Sequence, residues 1–381
     1  MLIRVFIASL VLGLSALVLQ AAPRAERIEL YYGMAEGNYL IGDLSGAERG
    51  IEQILRLNPD SISALNLLAR VRLQQKRPQE ALEIADRMIA LEPENPEHPL
   101  FKALLLGQMD RREAATQLIG QVLADTATGS EHAAAARQLL GLLRMAGGEW
   151  DQAAATFQEI YLNDPDSAEI SLRLSSEAYL EKARSALQAG EQDKAIAAID
   201  QSIALYRDQD GKEALQRRTA LRLMRARLLA QFGRVDTAIT DLQALTGQQP
   251  DNFEALITLA SLYASVDRWA SLEGLLPSIA ARPELQDVAL YLEGRAALAK
   301  NRVGTARAKF EAAINALPND ADNLRRSLFF YRGICLEMLG RQAEAEVSIL
   351  NAIDAGFRPE TGEEALISSR TLLRAKRAEE A

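Results

Sequence analysis

Four arginines recur at one register of the chain. Arg70, Arg184, Arg227 and Arg295 each follow a small residue by one position: Ala69, Ala183, Ala226 and Gly294. A guanidinium offers five N–H donors in a planar fork and pairs with carboxylates through two parallel hydrogen bonds. A row of such groups suits an acidic peptide or a peptide C-terminus. The competing reading pairs each arginine with acidic neighbours of the chain itself. An aromatic cluster, Tyr291, Phe329, Phe330 and Tyr331, lies near the last arginine. Some of these rings belong to the core; Tyr291 and Phe330 are expected to line an apolar pocket for a partner's side chain. Arg218, Arg222 and Arg225 share one helical face and read as a solvated, ion-paired surface.

Little else is arranged for chemistry. There is no Gly-rich dinucleotide loop, no phosphate-binding Walker loop, no G-x-S-x-G, no H-E-x-x-H and no C-x-x-C. His98 and His132 stand apart, each in a connecting or helix-start region, and are expected to be solvated or capping. The one cysteine, Cys335, lies within LFFYRGICLEML and is expected to be buried and inert. No metal site and no cofactor is expected. The net charge of −9 and the pI of about 5.1 repel a polyanion, so no nucleic-acid partner is expected.

The elements that hold these residues are helical by composition. Ala and Leu dominate the apolar 48% and aromatics are only 5%, which favours helices over sheets. The chain of 381 residues exceeds what one compact core usually organises, which calls for two domains or a core growing in one dimension. A phrase recurs: Ala, then an apolar residue four on, another small or apolar residue three on, and Pro five beyond. It appears as Ala47-Ile51-Ile54-Pro59, Ala81-Ala85-Met88-Pro93, Ala153-Phe157-Ile160-Pro165, Ala238-Leu242-Leu245-Pro250 and Ala306-Phe310-Ala313-Pro318. Pro59 and Pro93 are 34 residues apart, as are Ala47 and Ala81. A small residue precedes each Ala by twelve (Ala35, Ala69, Gly141, Ala226, Gly294), and a glycine precedes it by five at Gly42, Gly148 and Gly233.

Each part of the phrase has a physical task. The small residue lets a paired helix approach closely, the glycine takes the positive φ of a tight turn, and the proline stops the second helix. Weaker units follow in phase, marked by Ala183, Gly190 and Ala195; by Ala260 and Trp269; and by Gly333, Gly340 and Ala345. The stretch 96–129 keeps Ala103, Ala115 and Ile119 without the glycine or the proline.

This period and phrase resemble the tetratricopeptide repeat (TPR) family across nearly all of residues 28–359, as about nine units with small insertions near 168–175 and 210–218. The sequence departs from the family pattern in mostly lacking the large early aromatic of the first helix and the tyrosine after it, Tyr263 excepted. The resemblance implies an all-α, right-handed α-solenoid of stacked helix-turn-helix repeats. It implies first helices that line a concave groove, placing the four arginines in that groove, and a protein or peptide partner rather than a substrate. Residues 360–381 resemble a C-terminal capping helix and charged tail.

Residues 5–22, VFIASLVLGLSALVLQAA, carry no charge and follow Arg4. They read as a signal peptide cleaved after Ala21 or as a retained membrane anchor, so residues 1–22 form a separate segment that would be the chain's only link to a membrane. The expected function is a non-catalytic interaction scaffold of the periplasm or cell envelope. The alternative is an inner-membrane-tethered adaptor or assembly regulator facing the cytoplasm. No stretch is left over for a catalytic domain.

Overall fold

A computed structural model describes residues 23–127, 130–164, 167–317, 322–359 and 361–376. The uncharged N-terminal segment, Pro165 and Pro318 of the repeating phrase, and the last residues of the tail lie outside these. The described residues form nineteen α-helices, one short 3-10 turn at Pro283–Leu285 and no strand, so the chain is all-α as its composition predicts.

The chain divides into two compact units, the first ending at Leu205 and the second beginning at Tyr206. In the first, the helices pair as α1 (Arg24–Leu40) with α2 (Leu44–Leu57), α3 (Ile62–Gln74) with α4 (Pro78–Leu91), α5 (Glu97–Gln108) with α6 (Arg112–Asp125), α7 (Glu131–Ala146) with α8 (Trp150–Asn163), and α9 (Ala168–Gln188) with α10 (Gln192–Leu205). In the second, α11 (Lys212–Gln231) pairs with α12 (Val235–Gln248), α13 (Phe253–Ser265) with α14 (Trp269–Ala280), α15 (Gln286–Ala299) with α16 (Val303–Ala316), and α17 (Asp322–Met338) with α18 (Gln342–Asp354). A single helix, α19 (Gly362–Arg374), packs on α18 and ends the array.

Local chemistry sets the ends of these helices. Asp43, Ser61, Ser130 and Asn252 each accept a hydrogen bond from a backbone N–H three residues on, and Pro78 opens α4 at the position where its missing N–H costs nothing. Thr361 and Glu364 form a reciprocal capping box at the start of α19.

All nine hairpins turn at one register, five residues before the second-helix alanine or its equivalent. Gly42, Gly148, Gly190, Gly233 and Gly340 take positive φ there, and so do Lys76, Asp110, Asp267 and Asn301, with φ of 56–60°. The backbone turn therefore persists where the sequence lacks glycine, including the hairpin over 97–125. There Asp110 stands 34 residues after Lys76, itself 34 after Gly42. A non-glycine residue bears about 1–2 kcal/mol of steric cost in this conformation, which the packing of the two helices must offset.

The packing itself is a small-against-large interlock. The second-helix alanines Ala47, Ala81, Ala115, Ala153, Ala195, Ala238 and Ala306 are fully buried. On the first helices, a Cβ added at Gly141 would stand 2.4 Å from the Phe157 ring, one at Gly294 would stand 2.5 Å from Phe310, and one at Gly333 would stand 2.5 Å from the Ile349 side chain. In each case the large residue is sixteen positions further on. The phrase found in the sequence is thus the contact surface of a helix pair.

Candidate functional site

In each unit the first helices of neighbouring hairpins touch one another, α1 with α3 and α5 with α7 in the first, and α11 with α13, α13 with α15 and α15 with α17 in the second. The second helices do not approach one another to the same extent. A stack closer-packed on one side curves toward that side, so in each unit the first helices line the inner face.

Several cavities open between first helices; one of about 550 Å³ lies between α7 and α9, lined by Glu131, Gln138, Ile170 and Leu174 among others and by no arginine, and two more hold the predicted residues. One, of about 300 Å³, lies in the first unit and is lined from α1 by Tyr32, Glu36, Tyr39 and Leu40, from α3 by Ile62, Ser63, Asn66, Leu67 and Arg70, and from α5 by Glu97 and His98. Arg70 is exposed there and forms no ion pair among the described residues. His98 departs from the sequence expectation: it is only 4% exposed, and its Nε2 lies 2.8 Å from Glu92 Oε2. That hydrogen bond holds the Glu92 carboxyl below its ordinary pKa. Burial of His98 follows from its place at the start of α5, where the chain folds back onto the preceding hairpin; a lone histidine near a proline carries no sequence signal for this. His132 is less buried, and its Nε2 lies 3.8 Å from Glu97.

The second cavity, of about 520 Å³, lies in the second unit. Its lining comes from α15 (Tyr291, Arg295), from α17 (Asn323, Arg326, Ser327, Tyr331), from the connection after α18 (Gly356, Phe357, Arg358) and from α19 (Glu364). Arg295 is its anchor. The guanidinium carbon lies 4.1 Å from the Tyr331 ring centroid and 5.9 Å from those of Tyr291 and Trp269, and Nη1 donates to the Tyr291 hydroxyl at 3.0 Å. Burial alone would discourage the charge, but Tyr291, Tyr331 and Glu364 more than offset it, and the pKa rises above the ordinary arginine value. Cation–π contacts of a desolvated guanidinium are worth about 2 kcal/mol. The Tyr331 hydroxyl donates to Glu364, and burial, as the largest cause, keeps that phenol from ionising.

The arginine register therefore yields one geometry and four situations. Arg70 is open. Arg184 is exposed and pairs with Glu181 one turn back on its own helix. Arg227 reaches Glu254 of the next hairpin at 2.7 Å. Arg295 is caged by rings. For Arg184 and Arg227, pairing within the chain is what the structure displays.

Phe330 corrects the sequence expectation. It is fully buried and stacks on Phe357 at 4.1 Å between centroids, so it is core and unavailable to a partner. Residues 329, 330 and 331 project around the helix in different directions, and Tyr331, one position on, is the ring that reaches the cavity. Sequence reasoning missed Tyr331 as a lining residue, along with Arg326, Arg358 and Glu364. The only available signal was that Tyr331 lies 36 residues after Arg295, close to one repeat period.

Elsewhere, Arg225 pairs with Asp241, Arg222 Nη1 donates to Gln248 at 2.8 Å, and Arg218 Nη1 donates to the carbonyls of Tyr206 and Arg207 at 2.9 Å each. This row is spent on internal contacts. Cys335 is fully buried, and burial pushes its thiol up to about 12, which suppresses the reactive thiolate. Among the described residues no group of three His, Cys, Asp or Glu side chains gathers as a metal site, and no described helix is long and apolar enough to cross a membrane.

The family comparison agrees with this architecture. The family profile described as Tetratricopeptide repeat matches residues 41–96, 102–169, 139–210, 223–270 and 291–361, well over half of the chain. The uncharacterized protein y4yS of Sinorhizobium fredii (strain NBRC 101917 / NGR234) is 33% identical over 76 residues, which is 20% of this chain and 42% of that protein. The chain thus matches less than half the length of that relative. Among solved structures, Pseudomonas aeruginosa pilF aligns with 23% identity over 61% of this chain and 96% of its own, at a TM-score of 0.37. A tetratricopeptide repeat protein from Parabacteroides merdae aligns with 18% identity over 81% of this chain and 98% of its own, at 0.36.

Proposed function

The chain belongs to the tetratricopeptide repeat family, and from that premise we propose that it is a non-catalytic scaffold of the cell envelope that holds a peptide or protein partner along the inner face of its helical hairpins. The observation that carries this reading is where the cavities open. They are lined by successive first helices, and two of them present an arginine without an ion pair among the described residues, Arg70 in one and Arg295 in the other. Extended surfaces of this kind recognise chains rather than small substrates, and guanidinium groups favour partners with acidic side chains or a free carboxylate.

The envelope assignment rests on the sequence of residues 5–22, an uncharged run behind Arg4 that is proposed to export the chain. The alternative is an inner-membrane-tethered adaptor facing the cytoplasm, favoured by the same run just reaching the length of a short span. Mass spectrometry of the mature N-terminus separates the two: loss of residues 1–21 rejects the tethered form, and an intact N-terminus rejects the cleaved one.

The scaffold reading is tested by affinity capture from the envelope fraction, comparing the wild type with Arg70→Ala combined with Arg295→Gln, and with Arg184→Ala as the control that touches only its own helix. Loss of a major partner in the double variant alone, with the helical circular-dichroism signal retained, supports the reading. Equal capture by all three proteins rejects the inner face as the binding surface.

A further inference from the structure

The first helix of the first unit is apolar on two opposite sides. Its core side packs Ile28, Tyr31, Tyr32 and Tyr39 around the fully buried Ala35 and the residues of α2. Its far side carries Leu30, Met34 and Leu40, with Ile41 directly after them, and these are 46, 54, 76 and 79% exposed. Gly33 and Gly37 lie among them and are exposed too. At about 100° per residue, all six positions fall on one side of the helix. From Leu30 to Ile41 the only charged residue is Glu36.

A helix apolar on both sides is patterned for an interior position, whereas the end of a stacked array calls for a polar outer face. Other terminal elements have one. The neighbouring α2 exposes Ser45, Arg49, Glu52 and Arg56, and α19 exposes Glu363, Arg370 and Arg374. The glycines of α1 point the same way. A Cβ added at Gly141, Gly294 or Gly333 would collide with the paired helix, but one at Gly33 or Gly37 meets nothing within 4 Å among the described residues, and neither glycine has a positive φ. Glycine inside a helix disfavours it, and nothing within the chain offsets that cost here. Bare backbone flanked by large apolar side chains is the shape against which a second helix packs closely.

We propose that this far side of α1 is the interface of a homodimer, covered by the α1 helix of a second copy of the chain. The stripe is complementary to itself. Leu30 stands three residues before Gly33, and Leu40 three residues after Gly37. A two-fold pairing therefore sets leucine against leucine and glycine against glycine, whichever way the two helices run, and each contact occurs twice. The proposal rests on the leader reading of residues 1–22 in one respect: a segment that is cleaved or enters the membrane does not cover α1. One helix face offers less than the roughly 800 Å² per partner of a standard stable complex, so the dimer is weak and forms as concentration rises. Leu40 also borders the 300 Å³ cavity, so the stripe runs up to the inner face without including Arg70.

Sedimentation velocity over a wide range of concentration tests this, on the chain purified from its cell of origin in non-ionic detergent with the N-terminus it carries there. The wild type is expected to pass reversibly from monomer to dimer. Gly37→Leu meets open space within its own chain and favours the helix, so it keeps the fold; it is expected to raise the midpoint of dimerisation at least about tenfold, and Met34→Glu likewise. Arg56→Ala, on the exposed side of α2, is expected to leave the midpoint unchanged. On oxidation of intact cells, Met34→Cys is expected to give a disulfide-linked species of twice the chain's mass and Arg56→Cys none; Cys335 is fully buried and takes no part. The proposal is overturned if the wild type stays monomeric at every concentration, as it would if residues 5–22 of the same chain covered the stripe. It is also overturned if Gly37→Leu and Met34→Glu dimerise like the wild type, as they would if the leader alone joined two copies, or if Met34→Cys links only to a different protein. No inner-face partner is present in the sedimentation, so its failure leaves the scaffold reading standing.

Discussion

The Arg295 guanidinium carbon sits 4.1 Å from the centroid of Tyr331, which belongs to the first helix of the following hairpin. The contact ties α15 to α17 and, through the Tyr331 hydroxyl and Glu364, ties both to the final helix α19. Tyr331→Leu should therefore cost about 2 kcal/mol in the C-terminal hairpins, from the lost cation–π contact and the lost hydrogen bond to Glu364. Tyr331→Phe keeps the ring and should cost less. Native-state amide exchange reads this directly: protection in α17 and α19 should fall in the order wild type, Tyr331→Phe, Tyr331→Leu. Equal protection in all three would contradict the linkage.

In the hairpins of Gly141, Gly294 and Gly333, glycine is a steric requirement where the first helix meets the second. Gly141→Ala would place a methyl 2.4 Å from the Phe157 ring, and Phe157 is fully buried with no room to retreat. Overpacking of this kind costs about 1–3 kcal/mol. Gly120→Ala lies in α6 with nothing within 4 Å of the added methyl, and should stabilise by about 0.5–1 kcal/mol through helix propensity. Urea denaturation of the two variants should shift in opposite directions.

The shared turn register makes a similar paired prediction. Lys76 has a φ of 58° where Gly233 has 76° in an equivalent hairpin. Lys76→Gly should stabilise by less than about 1 kcal/mol, since relief of the left-handed strain is partly offset by a freer unfolded chain. Gly233→Ala should destabilise by about 1 kcal/mol. Thermal unfolding of each variant checks the sign.

Acid sensitivity of the first unit should centre on Arg72. Its guanidinium lies 2.6 Å from Glu48 and 3.0 Å from Glu80, linking α3 to α2 and α4. The hydrogen bond from Arg72, the largest influence, holds Glu48 below its ordinary pKa, while partial burial works the other way. A depressed folded pKa contributes stability above the unfolded value and loses it as pH falls through the folded one. Glu48→Gln should therefore cost below about 1 kcal/mol at neutral pH, and the difference from wild type should shrink as the pH falls below the ordinary glutamate range. A difference that grows on acidification would contradict the assignment.

Much of the fold could be read from the chain because its interlock uses residue types that stand out. Gly141 with Phe157 and Gly294 with Phe310 recur sixteen residues apart, and the turn glycine Gly148 sits between the first pair. Turns at Lys76, Asp110, Asp267 and Asn301 were harder to find, since the backbone geometry persists without its usual residue. The site was only partly legible. The register of Arg295 pointed to the inner face, but helix rotation decides which of three consecutive aromatics faces the cavity. A change of about 100° per residue puts Phe330 in the core and Tyr331 at the wall. Glu364 could not be found from the repeat at all, because it belongs to the terminal helix and reaches the cavity only through tertiary packing.

The central claim is that the first-helix face is the binding surface. Its most direct test is site-specific photo-crosslinking in the cell of origin, with the photoreactive residue placed at Ser63 or Asn323 on first helices, or at Glu83 or Thr240 on second helices, all four of them exposed. The account predicts a discrete crosslinked protein from Ser63 or Asn323 and none from Glu83 or Thr240. Crosslinks arising only from Glu83 and Thr240 would contradict it.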